Sequence, residues 1–191
     1  MKRPFRVSFF CSAREVLDPR ILDQAAEFAR AIAERKWELL YGGGRAGLMG
    51  FIADQALAAG GIVRGAITES LAAGSEGLHP GLHEAVVVKD LFERKKWLME
   101  NADGFVIFPG GFGTLDEALE AITWKALGCH DKAVVFANIG GFWQDQLDVF
   151  QRLSAHRMIA PNGLRLYTSC ESVTEILEVL EDAFLKGTNR E

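Results

Sequence analysis

Cysteine is scarce in this sequence, and its three copies do not pair up. Cys11, Cys129 and Cys170 are odd in number, far apart and without any C-x-x-C spacing. That pattern argues against a disulfide framework or a zinc ribbon. The three read instead as small apolar packers of a chain in a reducing, cytoplasmic setting. Also missing is any run approaching the ~18 apolar residues that span a bilayer. The opening Met1-Lys2-Arg3-Pro4-Phe5-Arg6 is basic, but the apolar stretch between Arg6 and Arg14 is too short for a signal peptide. Positive charge is in deficit: 21 Lys and Arg face 26 Asp and Glu, for a formal net charge of −5. A dedicated nucleic-acid binder needs a basic surface, so that partner class drops away. No linker, repeat or low-complexity segment interrupts the chain. The four histidines, His79, His83, His130 and His156, show no metal-ligand spacing.

What remains is an ordinary globular composition, 49% apolar and 25% charged, in 191 residues. That length is read as one domain over 1–191, able to bury a core of its own. Short apolar runs at Phe5–Phe10, Glu38–Tyr41, Ile62–Thr68, Ala85–Lys89, Gly104–Phe108 and Ala133–Asn138 read as strands, with a further short one near Leu164–Thr168. Helical patterns separate them. Asp18-Pro19 opens one helix as N-cap and first-turn proline, and Asp90-Leu91-Phe92-Glu93 opens a basic one with a capping box. Ser172 with Glu175 caps the last helix, whose apolar stripe is Val173, Ile176, Leu177, Leu180 and Phe184. The segment Glu69–His83 reads as a long loop. Strands alternating with helices imply a doubly wound α/β fold, a parallel sheet with helices on both faces. Such sheets bind ligands beyond the carboxyl ends of their strands.

Two strand-end loops there are rich in glycine. The first runs Gly42-Gly43-Gly44-Arg45-Ala46-Gly47-Leu48-Met49-Gly50, and the second runs Pro109-Gly110-Gly111-Phe112-Gly113-Thr114. Glycines let backbone amides close on an anion, and a following helix N-terminus adds partial positive charge. The first loop satisfies G-x-G-x-x-G, but after the second strand, not the first. The second has no following lysine, so it is no Walker A loop. Two such loops in one domain fit one phosphorylated sugar or nucleotide held at two places. Beside them, Glu117 and Glu120 share a helix side. Spacing alone also allows a plain role for Glu117, as the acid of a capping box with Thr114 as N-cap. Arg94, Lys95 and Lys96 open the preceding helix, where positive charge opposes the dipole and an anion is therefore expected.

These residues carry a resemblance. Glu93-Arg94-Lys95, followed by Pro109-Gly110-Gly111-Phe112-Gly113-Thr114-Leu115-Asp116-Glu117, resembles the LOG family, cytokinin riboside 5′-monophosphate phosphoribohydrolases once labelled possible lysine decarboxylases. Tyr41-Gly42-Gly43-Gly44 with Gly47-Leu48-Met49-Gly50, and Thr123-Trp124 with Leu127-Gly128 and His130-Asp131-Lys132, match too. The likeness runs from about Val7 to Glu181. It implies a modified Rossmann-like sheet, a homodimer with its active site near the subunit interface, and hydrolysis of the N-glycosidic bond of N6-modified adenosine 5′-monophosphates, with AMP a further substrate. The resemblance makes Arg94 and Glu117 the catalytic pair and Lys95 a substrate contact. It gives the phosphate to Gly110, Gly111, Gly113 and Thr114. Gly42, Gly43, Gly44, Met49, Ser12 and Glu76 complete the binding set, and the role of Arg14 is open. No metal and no cofactor is implied.

Other classes fit part of this pattern. A nucleotide or phosphorylated-cofactor carrier or sensor would be favoured by loss of the Arg94/Glu117 pair. An oxidoreductase would use Gly42–Gly47 with Glu69 as the ribose acid, but leaves the second loop without a task. A decarboxylase would need pyridoxal phosphate on a lysine, and nothing marks such a lysine. His79 and His83 fall in the loop on the base side of the site and read as solvated loop histidines, with gating or contacting that side as the alternative.

Overall fold

The computed structural model describes residues 3–16, 18–74 and 77–188. Its strands are β1 (Arg6–Phe10), β2 (Glu38–Tyr41), β3 (Ile62–Thr68), β4 (Glu84–Val88), β5 (Gly104–Ile107), β6 (Ala133–Ala137) and β7 (Thr168–Cys170). All pair in parallel in one sheet of order β4-β3-β2-β1-β5-β6-β7. The helices are α1 (Pro19–Glu34), α2 (Gly47–Ala58), α3 (Glu69–Ala73), α4 (Leu91–Asn101), α5 (Phe112–Ala126), α6 (Gln144–Ala155) and α7 (Val173–Thr188).

Successive strand residues face opposite sides of a sheet, so a strand buried on both faces must be apolar at every position. The central strands follow this rule except at Arg6 and Ser8 of β1 and Glu38 at the start of β2. Val7, Phe9, Leu39, Tyr41, Val106 and Val135 face a core closed by α1, α2 and α7, through Phe28, Ile32, Ile52, Ile176 and Leu180. Their neighbours Phe10, Leu40, Phe105, Ile107, Val134 and Phe136 face a second core under α4, α5 and α6, through Leu98, Ala118, Ala121, Leu147 and Phe150. Truncating a fully buried ring such as Phe105 or Phe136 to alanine costs about 3–5 kcal/mol.

The helix starts expected from the caps form. Asp18 accepts from the Arg20 amide at 2.9 Å, Asp90 from Glu93 at 2.9 Å and Ser172 from Glu175 at 3.3 Å. Two expectations change. The Glu69–His83 loop contains α3, started by Thr68 Oγ1 accepting from the Leu71 amide at 3.3 Å. The strand near Leu164–Thr168 is a 3-10 turn at Gly163–Arg165 followed by β7. Leu164 packs against the second core instead of extending, and pairing begins where Thr168 meets Val135 of β6.

The chain enters the sheet at its centre, winds outward through β2 and β3 to β4, then returns to lay β5 against the other side of β1. The direction of winding therefore reverses between β1 and β5, which puts the ligand crevice at their carboxyl ends.

Candidate active site

The loops after β1 and β5 meet at that crevice, where the Ser12 amide donates to Pro109 O at 3.0 Å. Cys11 lies buried beneath them. Burial, with the added charge of Glu117, pushes its thiol well above the ordinary range, so it stays protonated.

Arg94 comes to the crevice from the first turn of α4 and is only 9% exposed. A buried guanidinium needs partners for its donors. Nε donates to Ala66 O at 3.1 Å and Nη2 to Gly42 O at 3.3 Å. Nη1 stands 3.7 Å from Glu117 Oε1, an ion pair longer than a hydrogen bond. The first glycine loop is what admits this side chain. A β-carbon on Gly43 would sit 3.3 Å from Ile67 Cβ, and the residue has φ of 75°, a conformation that favours glycine. Gly65 in β3 allows the same close approach, since its own β-carbon would lie 2.6 Å from Gly43 Cα.

The two helices that follow the glycine loops start differently. At α2 the Leu48 and Met49 amides donate to Arg14 O at 3.3 Å and Ser12 O at 3.2 Å. Ser12 Oγ in turn accepts from the Arg14 amide at 2.9 Å. The first turn of α2 is thus capped from within the protein. At α5 the N-cap is Gly111, which brings no side-chain cap. Orphan amides at a helix N-terminus, with the helix dipole behind them, form a seat for an anion. Positions 111 and 113 have open space where a side chain would be, while a β-carbon on Gly110 would strike Thr114 Oγ1 at 2.1 Å. Gly110 is therefore glycine to make room for Thr114, and Gly111 and Gly113 leave the helix end uncovered.

This start also settles the plain role for Glu117. Thr114 lies inside the first turn of α5, 4% exposed, and is not its N-cap. The Thr114–Glu117 capping box does not form. Glu117 instead sits one turn in, with its side chain 13% exposed and turned to Arg94.

Lys95 spans from α4 to α5, 3.0 Å from Asp116 and 2.8 Å from Glu120. Burial works against its ammonium, but the pairs with Glu120 and Asp116 outweigh it and hold the group above its ordinary range. With the Arg94–Glu117 pair, it fixes the spacing of the two helices at the crevice.

The remaining expected residues are placed as follows. Gly44 forms a single antiparallel bridge with Leu78, and Met49 is 7% exposed on α2. Glu76 lies outside the described residues. His79 is not solvated: it is 6% exposed, its Nε2 3.1 Å from Asp54 Oδ1. His83 is exposed and accepts from the Val63 amide through Nδ1 at 3.3 Å. The Ala66 carbonyl and the His79–Asp54 pair escaped the sequence reading. A backbone oxygen leaves no residue signature, and Asp54 and His79 are joined only by folding. Among the described residues no group of three or more His, Cys, Asp or Glu side chains could hold a metal ion.

Comparison with known proteins bears on this geometry. The model of a family described as "Possible lysine decarboxylase" matches residues 49–180. A cytokinin riboside 5′-monophosphate phosphoribohydrolase of Rhodococcoides fascians is 39% identical over 170 residues, 89% of this chain and 86% of that protein. One of Arabidopsis thaliana is 33% identical over 177 residues, 93% of this chain and 83% of the other. Among solved structures, the molybdenum cofactor carrier protein of Chlamydomonas reinhardtii aligns with a TM-score of 0.71 at 21% identity, over 96% of this chain and 99% of that one. The molybdenum cofactor binding protein of Rippkaea orientalis aligns with a TM-score of 0.73 at 19% identity, with the same coverage. At such identities the structural likeness is one of fold.

Proposed function

The chain belongs to the family that includes the cytokinin riboside 5′-monophosphate phosphoribohydrolases, and from this membership and its site we propose that it hydrolyses the N-glycosidic bond of N6-modified adenosine 5′-monophosphates. The products are free base and ribose 5-phosphate, and AMP is the simplest candidate substrate. The observation that carries the reading is the Arg94–Glu117 pair at 3.7 Å beside the uncapped N-terminus of α5.

In this reading the 5′-phosphate sits on the α5 amides at Gly111, Gly113 and Thr114, with Gly110 shaping the turn. Breaking the ribosyl C1′–N bond builds positive charge on the sugar ring, as in glycoside hydrolysis. Glu117 faces that charge and stabilises it, then accepts a proton from the attacking water. The water oxygen bonds to C1′, the C1′–N electron pair leaves with the base, and the base takes up a proton. Arg94 holds the Glu117 carboxylate in register with the sugar. Its two backbone acceptors prevent it from collapsing onto Glu117. Lys95 keeps α5 at a fixed distance from α4 and turns its remaining donor capacity toward substrate.

A homodimer, a single nucleotide-binding domain and a cytoplasmic location belong to the same proposal. All three cysteines are free thiols, in keeping with a reducing compartment. Among the described residues no helix is long and apolar enough to cross a membrane. The dimer is supported by large apolar side chains that α5 leaves exposed. One face is buried, while Phe112 is 93% and Leu119 43% exposed, with Leu127 at the C-cap 74% exposed.

The decarboxylase label does not suit the site chemistry. A Schiff-base lysine must give up its proton, whereas two carboxylates hold Lys95 as an ammonium. The carrier reading predicts nucleotide binding without turnover. Base release decides between them. Purified protein is given AMP, isopentenyladenosine 5′-monophosphate and the matching nucleosides, with Arg94→Ala and Glu117→Ala alongside. Release from monophosphates alone, lost in both variants, is the expected result. Tight nucleotide binding with no release would establish the carrier.

A further inference from the structure

Resting on the phosphoribohydrolase reading, we propose that His79 is a positioning residue that sets Arg94 through the Gly42–Gly43 turn. The imidazole is 6% exposed, and both ring nitrogens are engaged. Nδ1 accepts from the Gly81 amide at 3.1 Å. An acceptor nitrogen carries no proton, so the proton of the neutral ring is on Nε2, facing Asp54 Oδ1 at 3.1 Å. The side chain therefore ties the 77–81 segment to α2 in one orientation.

The backbone of the same segment grips the first glycine loop. The His79 amide donates to Gly43 O at 2.9 Å, and the Arg45 amide donates to Gly77 O at 3.0 Å. Gly44 and Leu78 form an antiparallel bridge between these bonds. The gripped carbonyl of Gly43 is next in the chain to that of Gly42, which receives Arg94 Nη2 at 3.3 Å. Arg45 folds over the clamp as well, since a β-carbon on Gly77 would meet its Nε at 2.7 Å.

A chain of contacts thus runs from Asp54 through His79, Gly43 and Gly42 to Arg94 and Glu117. Van der Waals packing alone would let the segment slide along the glycine loop. An imidazole that donates on one side and accepts on the other permits one register only. His79 touches no reacting atom, so its effect belongs to the alignment of Arg94 in the transition state and not to phosphate binding at α5.

The test is steady-state base release from AMP by His79→Leu, His79→Gln and Asp54→Ala, with amide exchange at Arg45 measured by NMR without substrate. In His79→Leu, kcat is expected to fall about 10- to 100-fold while KM stays near wild type. His79→Gln should recover most of the rate, because its amide oxygen can accept from Gly81 and its amide nitrogen can donate to Asp54. Asp54→Ala, an exposed change on α2, should show a smaller loss in kcat and stands in if His79→Leu does not fold. Exchange at Arg45 should quicken in step with each loss. Wild-type kcat in folded His79→Leu, a loss confined to KM, or no rescue by His79→Gln would overturn the proposal. If the wild-type protein releases no base, the phosphoribohydrolase reading fails separately. Arg45 exchange alone then decides: faster in His79→Leu upholds the clamp, and unchanged refutes it.

Discussion

Gly42 and Arg94 occupy one space: a β-carbon at position 42 would lie 1.7 Å from Arg94 Nη2. Gly42→Ala must therefore displace the guanidinium, although φ at this position carries no strain that only glycine escapes. Base release is expected to fall by about 10²-fold or more, since a catalytic group moved by roughly an ångström loses most of its effect. The thermal midpoint should change far less than the rate. Adding Gly42→Ala to Arg94→Ala should cost little more than Arg94→Ala alone, because both remove the same group. Additive losses in that cycle would show that Gly42 acts by another route.

Glu117→Gln separates binding from chemistry. The amide keeps the shape and cannot take a proton from water or face a developing cation with full charge. Turnover is expected to fall about 10²- to 10⁴-fold, while calorimetric affinity for ribose 5-phosphate persists, because the phosphate seat lies at the α5 amides. Glu120→Gln, on the same helix side but paired with Lys95, should lose much less. Near-wild-type turnover by Glu117→Gln would remove the carboxylate from the mechanism.

The two variants also mark where the sequence was legible. The central strands were readable because Leu39, Leu40 and Tyr41 are apolar in succession, the signature of a strand covered on both faces. Helix starts were readable where the cap is local, as at Asp18 and Asp90. The division of labour between the two glycine loops was not. It depends on Arg14 O and Ser12 O reaching the amides of α2, contacts between segments more than 30 residues apart in sequence. Thr114 misled for a related reason. Its spacing to Glu117 matches a cap, but the helix begins at Phe112 and tertiary packing draws the threonine inward against Gly110. His79 looked solvated because burial by a folded-back loop has no periodicity. The family resemblance located Arg94 and Glu117; the Ala66 and Gly42 carbonyls that hold Arg94 became visible only in three dimensions.

At the opposite end of the sheet, Glu38 contributes to acid stability. Its carboxylate is buried and accepts from Arg6 Nε at 2.8 Å and Arg64 Nε at 2.9 Å. Burial works to raise its pKa, but the bonds to Arg64 and Arg6 prevail and hold it below the ordinary value. A carboxyl with a lower pKa when folded binds protons more readily when unfolded. Its stabilisation is therefore complete above the ordinary carboxylate range and fades as pH falls through it. The thermal midpoint should drop on acidification below about pH 5. Glu38→Gln should be less stable at pH 7 by about 1–3 kcal/mol, because the half-buried Arg6 and Arg64 lose the carboxylate they share, although Arg64 keeps Glu84. It should also show a flatter pH dependence. A variant whose melting curve kept the wild-type slope would assign the acid transition to other carboxylates.

Along α5, Phe112, Asp116, Leu119 and Thr123 fall on one exposed stripe that the C-cap Leu127 extends, while Thr114, Ala118 and Ala121 face inward. An amphipathic helix turns its large apolar side chains inward; this one leaves Phe112 and Leu119, with Leu127 beyond them, on the outside between polar residues. A symmetric dimer would bury that row against its own copy, since a twofold interface is self-complementary. Glu117 and the phosphate seat are on the same helix, so pairing through α5 would also steady the site. Light scattering should report twice the chain mass for the wild type. Leu119→Glu, which sets like charges opposite each other across the twofold, should shift the protein toward the single-chain mass. Base release per chain should fall with the dimer fraction as protein is diluted. A monomeric wild type with full activity would leave the α5 stripe without this role and show that one chain holds a complete site.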